Sequence, residues 1–131
     1  MKPKQVLSIE QMKHLQELGL DTSDASMCVE WRESDESKKV VTSLDADTYY
    51  DYYHETYTLH DILDKLPHYL NPFPSKQILF AWMIERDTIA YRNVEDIDDC
   101  LKHFTDDLLI DAAYEMLCWC TENGYIKKEG E

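Results

Sequence analysis

The stretch "LLIDAAYEMLCWCTENGYI", Leu108 to Ile126, carries the clearest helical pattern in the chain and decides its class. Leu109, Ala112, Ala113, Met116, Leu117 and Cys120 recur at spacings of three and four, one apolar stripe on a helix. Thr105 stands where a cap is wanted, Asp106 and Asp107 suit the positive end of the helix dipole, and Phe104 with Leu109 can form a hydrophobic staple. Gly124 is a stop, after which Tyr125 or Ile126 can fold back on the last turn. This predicts a helix over 106–123, packed across a sheet. Cys118 and Cys120, on either side of Trp119, look like chemistry. Two residues turn a helix through about 200°. The thiols therefore point to nearly opposite sides and cannot chelate one ion together or form a disulfide without breaking the helix. Cys120 belongs to the stripe. Cys118 and Trp119 lie just off it, where they either complete the core from its flank or meet a partner.

Two more helices have marked ends. Ser8 and Gln11 form a capping box, Leu7 and Met12 a staple, and Ile9, Met12, Leu15 and Leu18 a face that stops at Gly19, predicting a helix over 9–18. Thr58 with Asp61 caps a helix over 59–66, with Leu59, Ile62, Leu63 and Leu66 on its face and Pro67 at its end. Between the helices the pattern is extended. Met27, Val29 and Trp31 alternate with Cys28, Glu30 and Arg32, and "KKVVTSL" follows a polar turn, so 26–32 and 38–44 are expected to form a hairpin. The tyrosine-rich 49–56 is a further strand candidate, its strand and helix groupings both readable. "QILFAWMIER" is continuously apolar and predicts a strand over 77–85 buried on both faces, paired with 88–93 across a short turn. "VEDIDDCLKHF" spaces Val94, Ile97, Leu101 and Phe104 as a helix would, though an acidic loop leading into a short strand fits as well. The expectation is a single α+β domain spanning 1–131. It has one small, mainly antiparallel sheet within 26–93, packed by about three helices, with the C-terminal helix central.

Of the 131 residues, 27 are acidic and 13 basic, a net charge of −14. Residues 21–60 hold ten acids against three bases, and 81–131 thirteen against five. Such a charge disfavours direct contact with nucleic-acid phosphates or an anionic membrane face, and favours basic partners or cations. The longest apolar run, Ile78 to Ile84, is far short of the roughly 20 residues that a helical span needs. The N-terminal "MKPKQVLSIEQ" lacks the apolar stretch of a signal peptide. A cytoplasmic location is expected, with Cys28, Cys100, Cys118 and Cys120 as reduced thiols.

Few sites of chemistry can be written. The only glycines are Gly19, Gly124 and Gly130, so there is no glycine-rich phosphate loop, dinucleotide fingerprint or nucleophile elbow. "DADTYYD" opens like a calcium loop at Asp45 and Asp47, but Tyr49 takes a ligand position and Tyr50 the place of the required glycine. His14, His54, His60, His68 and His103 show no metal-ligand spacing, and no cofactor or metal is expected. The tyrosines of 49–57 are interleaved with acids. Base-stacking platforms want arginine and lysine around their aromatics, whereas tyrosine among acids suits a basic protein surface. The candidate partner-binding residues are therefore Asp45, Asp47, Tyr49, Tyr50, Asp51, Tyr52 and Tyr53.

Three stretches, "LSIEQMKHLQELGLDTSDASMC" (7–28), "YTLHDILDKLP" (57–67) and "DDLLIDAAYEMLCWCTENGYI" (106–126), resemble small acidic accessory proteins encoded by phages and mobile elements of anaerobic gut bacteria. No activity is assigned to that family, so the resemblance carries over no site residue. It implies a shared helical scaffold bearing a variable sheet. Composition and resemblance together suggest a non-enzymatic protein that binds another, basic protein. The alternative is an antirestriction-like inhibitor that mimics DNA with its acidic surface. A small-ligand binder or hydrolase using His54, His60 or a cysteine would need two such groups within hydrogen-bond reach in one pocket.

Overall fold

Three helices and two antiparallel sheets make up residues 4–31, 38–42 and 52–128, the part of the chain that the computed structural model describes. The α+β class is as expected. The single sheet is not, because the strands divide into two. One sheet, in the order β2-β1-β3, holds β1 (Met27–Trp31), β2 (Lys38–Thr42) and β3 (Tyr52–Thr56). The other, in the order β4-β5-β6-β7, holds β4 (Tyr69–Leu70), β5 (Phe80–Glu85), β6 (Thr88–Asn93) and β7 (Asp96–Thr105). The helix that separates them is the reason. β3 runs directly into α2 (Leu59–Lys65), whose cap and following Pro67 turn the chain away, and pairing starts afresh with β4.

Helix α1 (Ile9–Glu17) is closed as its sequence requires. Ser8 Oγ accepts from Gln11 N at 3.1 Å and Gln11 Oε1 from Ser8 N at 2.9 Å, while Leu7 and Met12 are fully buried. At its end Gly19 takes φ +95°, a left-handed conformation that L side chains rarely adopt, with Leu20 N donating to Leu15 O. The α2 cap does more than end a helix. Asp61 Oδ2 accepts from Thr58 N at 3.0 Å, and also from the backbone and hydroxyl of Ser26 at 3.2 and 2.7 Å. One carboxylate thus closes α2 and pins the chain that enters β1.

Helix α3 (Leu109–Glu122) packs against α2 and against β6 and β7. Ala112, Ala113, Met116, Leu117 and Cys120 are fully buried, as the stripe requires. Cys118 was off that stripe, yet it is also buried, because layers on two sides leave the helix little open circumference. Trp119 completes the flank, its ring packed against that of Tyr125 with centroids 5.4 Å apart and planes tilted by 33°. Gly124 N donates to Thr121 O and Tyr125 N to Cys120 O, the expected fold-back after a glycine in the left-handed region. The start of the helix differs from expectation. Thr105 is the last residue of β7 and its hydroxyl meets that of Thr88 at 2.7 Å, so it caps nothing, and Phe104 reaches the core from the strand instead of stapling the helix. The helix begins three residues later than 106, at Leu109, with Asp106 Oδ1 accepting from Leu108 N.

Two further expectations give way to long-range pairing. Of the two readings of 94–104 the helical one fails and the acidic loop leading into a strand comes nearer: Val94 and Glu95 make a turn, and β7 follows from Asp96. A helical stripe would have buried Val94 and Ile97, which are 45% and 61% exposed, whereas pairing with β6 satisfies the backbone and still delivers Leu101 and Phe104 to the core. β5 begins at Phe80, after a left-handed Gln77 at φ +53°, and only Phe80 in it is buried. Among the described residues no layer covers the outer face of this sheet, so the strand is half-covered despite its continuous apolar run.

The first turn of α3 is tied to the N-terminal segment. Asp111 Oδ1 accepts from Lys4 Nζ at 2.7 Å and from Gln11 Nε2 at 3.0 Å. Burial alone would raise the Asp111 pKa. The hydrogen bonds and the Lys4 charge outweigh it and hold the carboxyl below its ordinary value. A lowered folded pKa contributes stability above the unfolded value and loses it as pH falls through the folded one. Lys4→Met is expected to lower stability at pH 7 by up to about 1 kcal/mol, since the pair is partly screened by solvent. The gap from the parent protein should begin to narrow below about pH 4 and shrink further as pH falls through the lowered folded value, so it is smaller at pH 3 than at pH 7 by urea unfolding. Asp61→Ala is expected to cost about 1–2 kcal/mol in the same assay, against under about 0.5 kcal/mol for the exposed His60→Ala.

Candidate interaction face

The chemical-looking residues do not converge. Tyr91, fully buried on β6, donates its hydroxyl to Pro67 O at 2.7 Å. The Cys120 thiol lies beside that hydroxyl across the helix–sheet interface. Burial raises the Cys120 pKa to about 12, and that of Cys118, beside the Tyr114 hydroxyl, to about 11. Both are thiols near neutral pH, and the thiolate is the nucleophile and metal ligand. The histidines are scattered. His54 Nδ1 lies 2.7 Å from Glu55 O, and His60 Nε2 lies 3.3 Å from Asp64 on the exposed side of α2. Among the described residues no group of three or more His, Cys, Asp or Glu is placed to hold a metal ion, and no helix is long and apolar enough to cross a membrane. Of the expected partner-binding residues, Asp45, Asp47, Tyr49, Tyr50 and Asp51 lie outside the described residues. The backbones of Tyr52 and Tyr53 belong to β3, an edge strand paired to Trp31 and Glu30.

A concave surface lies elsewhere, on the outer face of the four-stranded sheet. Directly opposed residues of an antiparallel ladder share a face, so three rows line it: Ala81, Arg92 and Cys100; Met83, Ala90 and His103; Glu85, Thr88 and Thr105. Ile89, Tyr91 and Phe104 point the other way, toward α3. Ala90 is the smallest side chain of the middle row and is only 1% exposed, so it forms a floor below its neighbours. A β-bulge supplies the wall. Arg92 pairs with Cys100 and Asn93 with Asp96, so Ile97, Asp98 and Asp99 are extra residues on β7 with no counterpart on β6. The displaced loop is tied down by Arg92 Nη1 donating to Ile97 O at 3.0 Å and by Asn93 Nδ2 donating to Asp99 Oδ2 at 3.2 Å. The result is an open groove of about 390 Å³, lined by Met83, Ile84, Ala90 and Ile97 among the apolar residues and by Glu85, Arg92 and Asp98 among the charged.

The surroundings are acidic. Residues 85–99 contain six acids, all exposed, against Arg86 and Arg92. Ile84 and Ile97 stay exposed within that field. Such a surface offers apolar contact at its centre and negative charge at its rim, the usual anatomy of a binding patch. Sequence reasoning missed it, because the groove depends on the β6–β7 register. The one legible signal was "EDIDD" directly ahead of the strand-like "CLKHFT". In comparisons with protein-family models, curated proteins and solved structures, the chain matches none of them.

The thiols give a direct check of the packing. Iodoacetamide at pH 8 is expected to modify the half-buried Cys100 first, with Cys118 and Cys120 reacting only after denaturation in urea. Peptide mass spectrometry reads the order, and prompt labelling of Cys120 in the native protein would contradict the enclosed helix.

Proposed function

We propose that this chain is a non-enzymatic accessory protein that binds another protein with a basic surface. The observation that carries the reading is the outer face of the four-stranded sheet, where Met83, Ala90 and Ile97 line a groove set among exposed acids. An apolar centre supplies contact energy. The surrounding carboxylates steer a basic partner and reject acidic ones. The acid- and tyrosine-bearing segment holding Asp45, Asp47, Tyr49, Tyr50, Asp51, Tyr52 and Tyr53 would add a second contact of the same character. The resemblance of three helical stretches to accessory proteins of phages and mobile elements agrees with such a role.

Affinity capture with the tagged protein, followed by reconstitution with the purified partner, tests this. A partner with a basic surface is expected, whose affinity falls severalfold between 50 and 200 mM salt as the rim charges are screened. Recovery of no specific protein, with a small molecule retained instead, would overturn the reading.

A further inference from the structure

β7 ends its sheet. It is ten residues long, and among the described residues no strand pairs with its outer edge. A strand edge is a row of backbone donors and acceptors at a fixed spacing, ready to accept another extended chain. Natural edges of this length are usually blunted by charge or by a bulge. Here the bulge does something else. It tips Ile97 and Asp98 over the outer face, so that the edge and the groove adjoin. Ile97, at 61% exposure, is a poor residue for protecting an edge and a good one for meeting an apolar side chain. Asp96, Asp98 and Asp99 are exposed beside it. Their charge, within a net −14 for the chain, sets acidic strands and second copies against the edge and attracts lysine and arginine.

We infer that β7 recognises its partner by strand addition: an extended basic segment of the partner pairs with the outer edge of β7 and lays an apolar side chain into the Met83–Ala90–Ile97 groove. The segment alternates lysine or arginine with branched apolar residues, because successive side chains of a strand point to opposite faces. Main-chain pairing supplies affinity, and the groove and carboxylates supply selectivity. This rests on the proposed protein-binding role and assigns its surface.

The test selects a displayed library of random twelve-residue peptides on the protein and synthesises the best binder. The expected consensus alternates basic and apolar residues. Ile97→Thr is expected to weaken that peptide about tenfold or more, the equivalent of losing one buried aliphatic contact. Asp98→Lys should also weaken it, whereas the matched charge reversal Glu17→Lys on α1 should leave it close to the parent value. Both tested positions are exposed, so unchanged urea midpoints are expected to verify folding. The peptide is then N-methylated on alternate amides in two complementary registers. Strand addition requires that one register abolishes binding and the other retains it. Equal effects of the two registers, a consensus without basic residues, or self-association that Ile97→Thr abolishes would each overturn the inference. A captured partner that binds Ile97→Thr and Asp98→Lys as tightly as the parent overturns only the surface assignment. Absence of any protein partner overturns the binding role itself.

Discussion

Helix α3 is apolar around most of its circumference, and a helix of that kind is stable in water only when enclosed. Ile110, Met116 and Leu117 alone bury three large aliphatic side chains, each worth about 1.5–3 kcal/mol against exposure. The helix therefore needs a cover on more than one side. The inner faces of β6 and β7 supply one and α2 another. The rest of the architecture follows from where those covers come from. The β5–β6–β7 meander must present Ile89, Tyr91 and Phe104 inward, and that leaves Met83, Ala90 and Ile97 on the outside.

Polar clamps hold the covers in register. Asp61 joins the start of α2 to the approach to β1. Asp111 joins the first turn of α3 to Lys4 and Gln11. Asp24 receives both the buried Tyr57 hydroxyl, at 2.8 Å, and Lys65, at 2.8 Å. Each is a carboxylate with two or more donors at the margin of the core. Such groups gain charge-assisted bonds while keeping contact with water, and so avoid the desolvation cost of a buried ion pair. An acidic chain can thus use part of its charge for structure. The exposed acids of 85–99 are a separate population around the groove.

The helix ends were legible because capping is local chemistry. Ser8 with Gln11 and Thr58 with Asp61 close their own turns, and Gly19 and Gly124 take left-handed conformations that almost any other residue would resist. The strands were legible where composition favours extension: the stretches 26–32, 38–44, 49–56, 77–85 and 88–93 hold β1, β2, β3, β5 and β6. Reading failed where a local pattern was consistent but lost a competition. The 94–104 segment has helical spacing, yet a helix there would leave one edge of β6 unpaired. Thr105 has the identity of a cap, yet it is held by Thr88 across the ladder.

What the sequence determined by itself is therefore the three helices, most of the strands and the α+β class. It also determined that Cys118 and Cys120 diverge, since the angle between them is a property of the helix. Tertiary structure alone decided that the strands divide into two sheets, that Cys118 is buried along with the stripe, and that a bulge in β7 builds a groove beside Ile97. These depend on register and on which faces are covered. Both are set by contacts between residues far apart in the chain, and no spacing within a single segment encodes them.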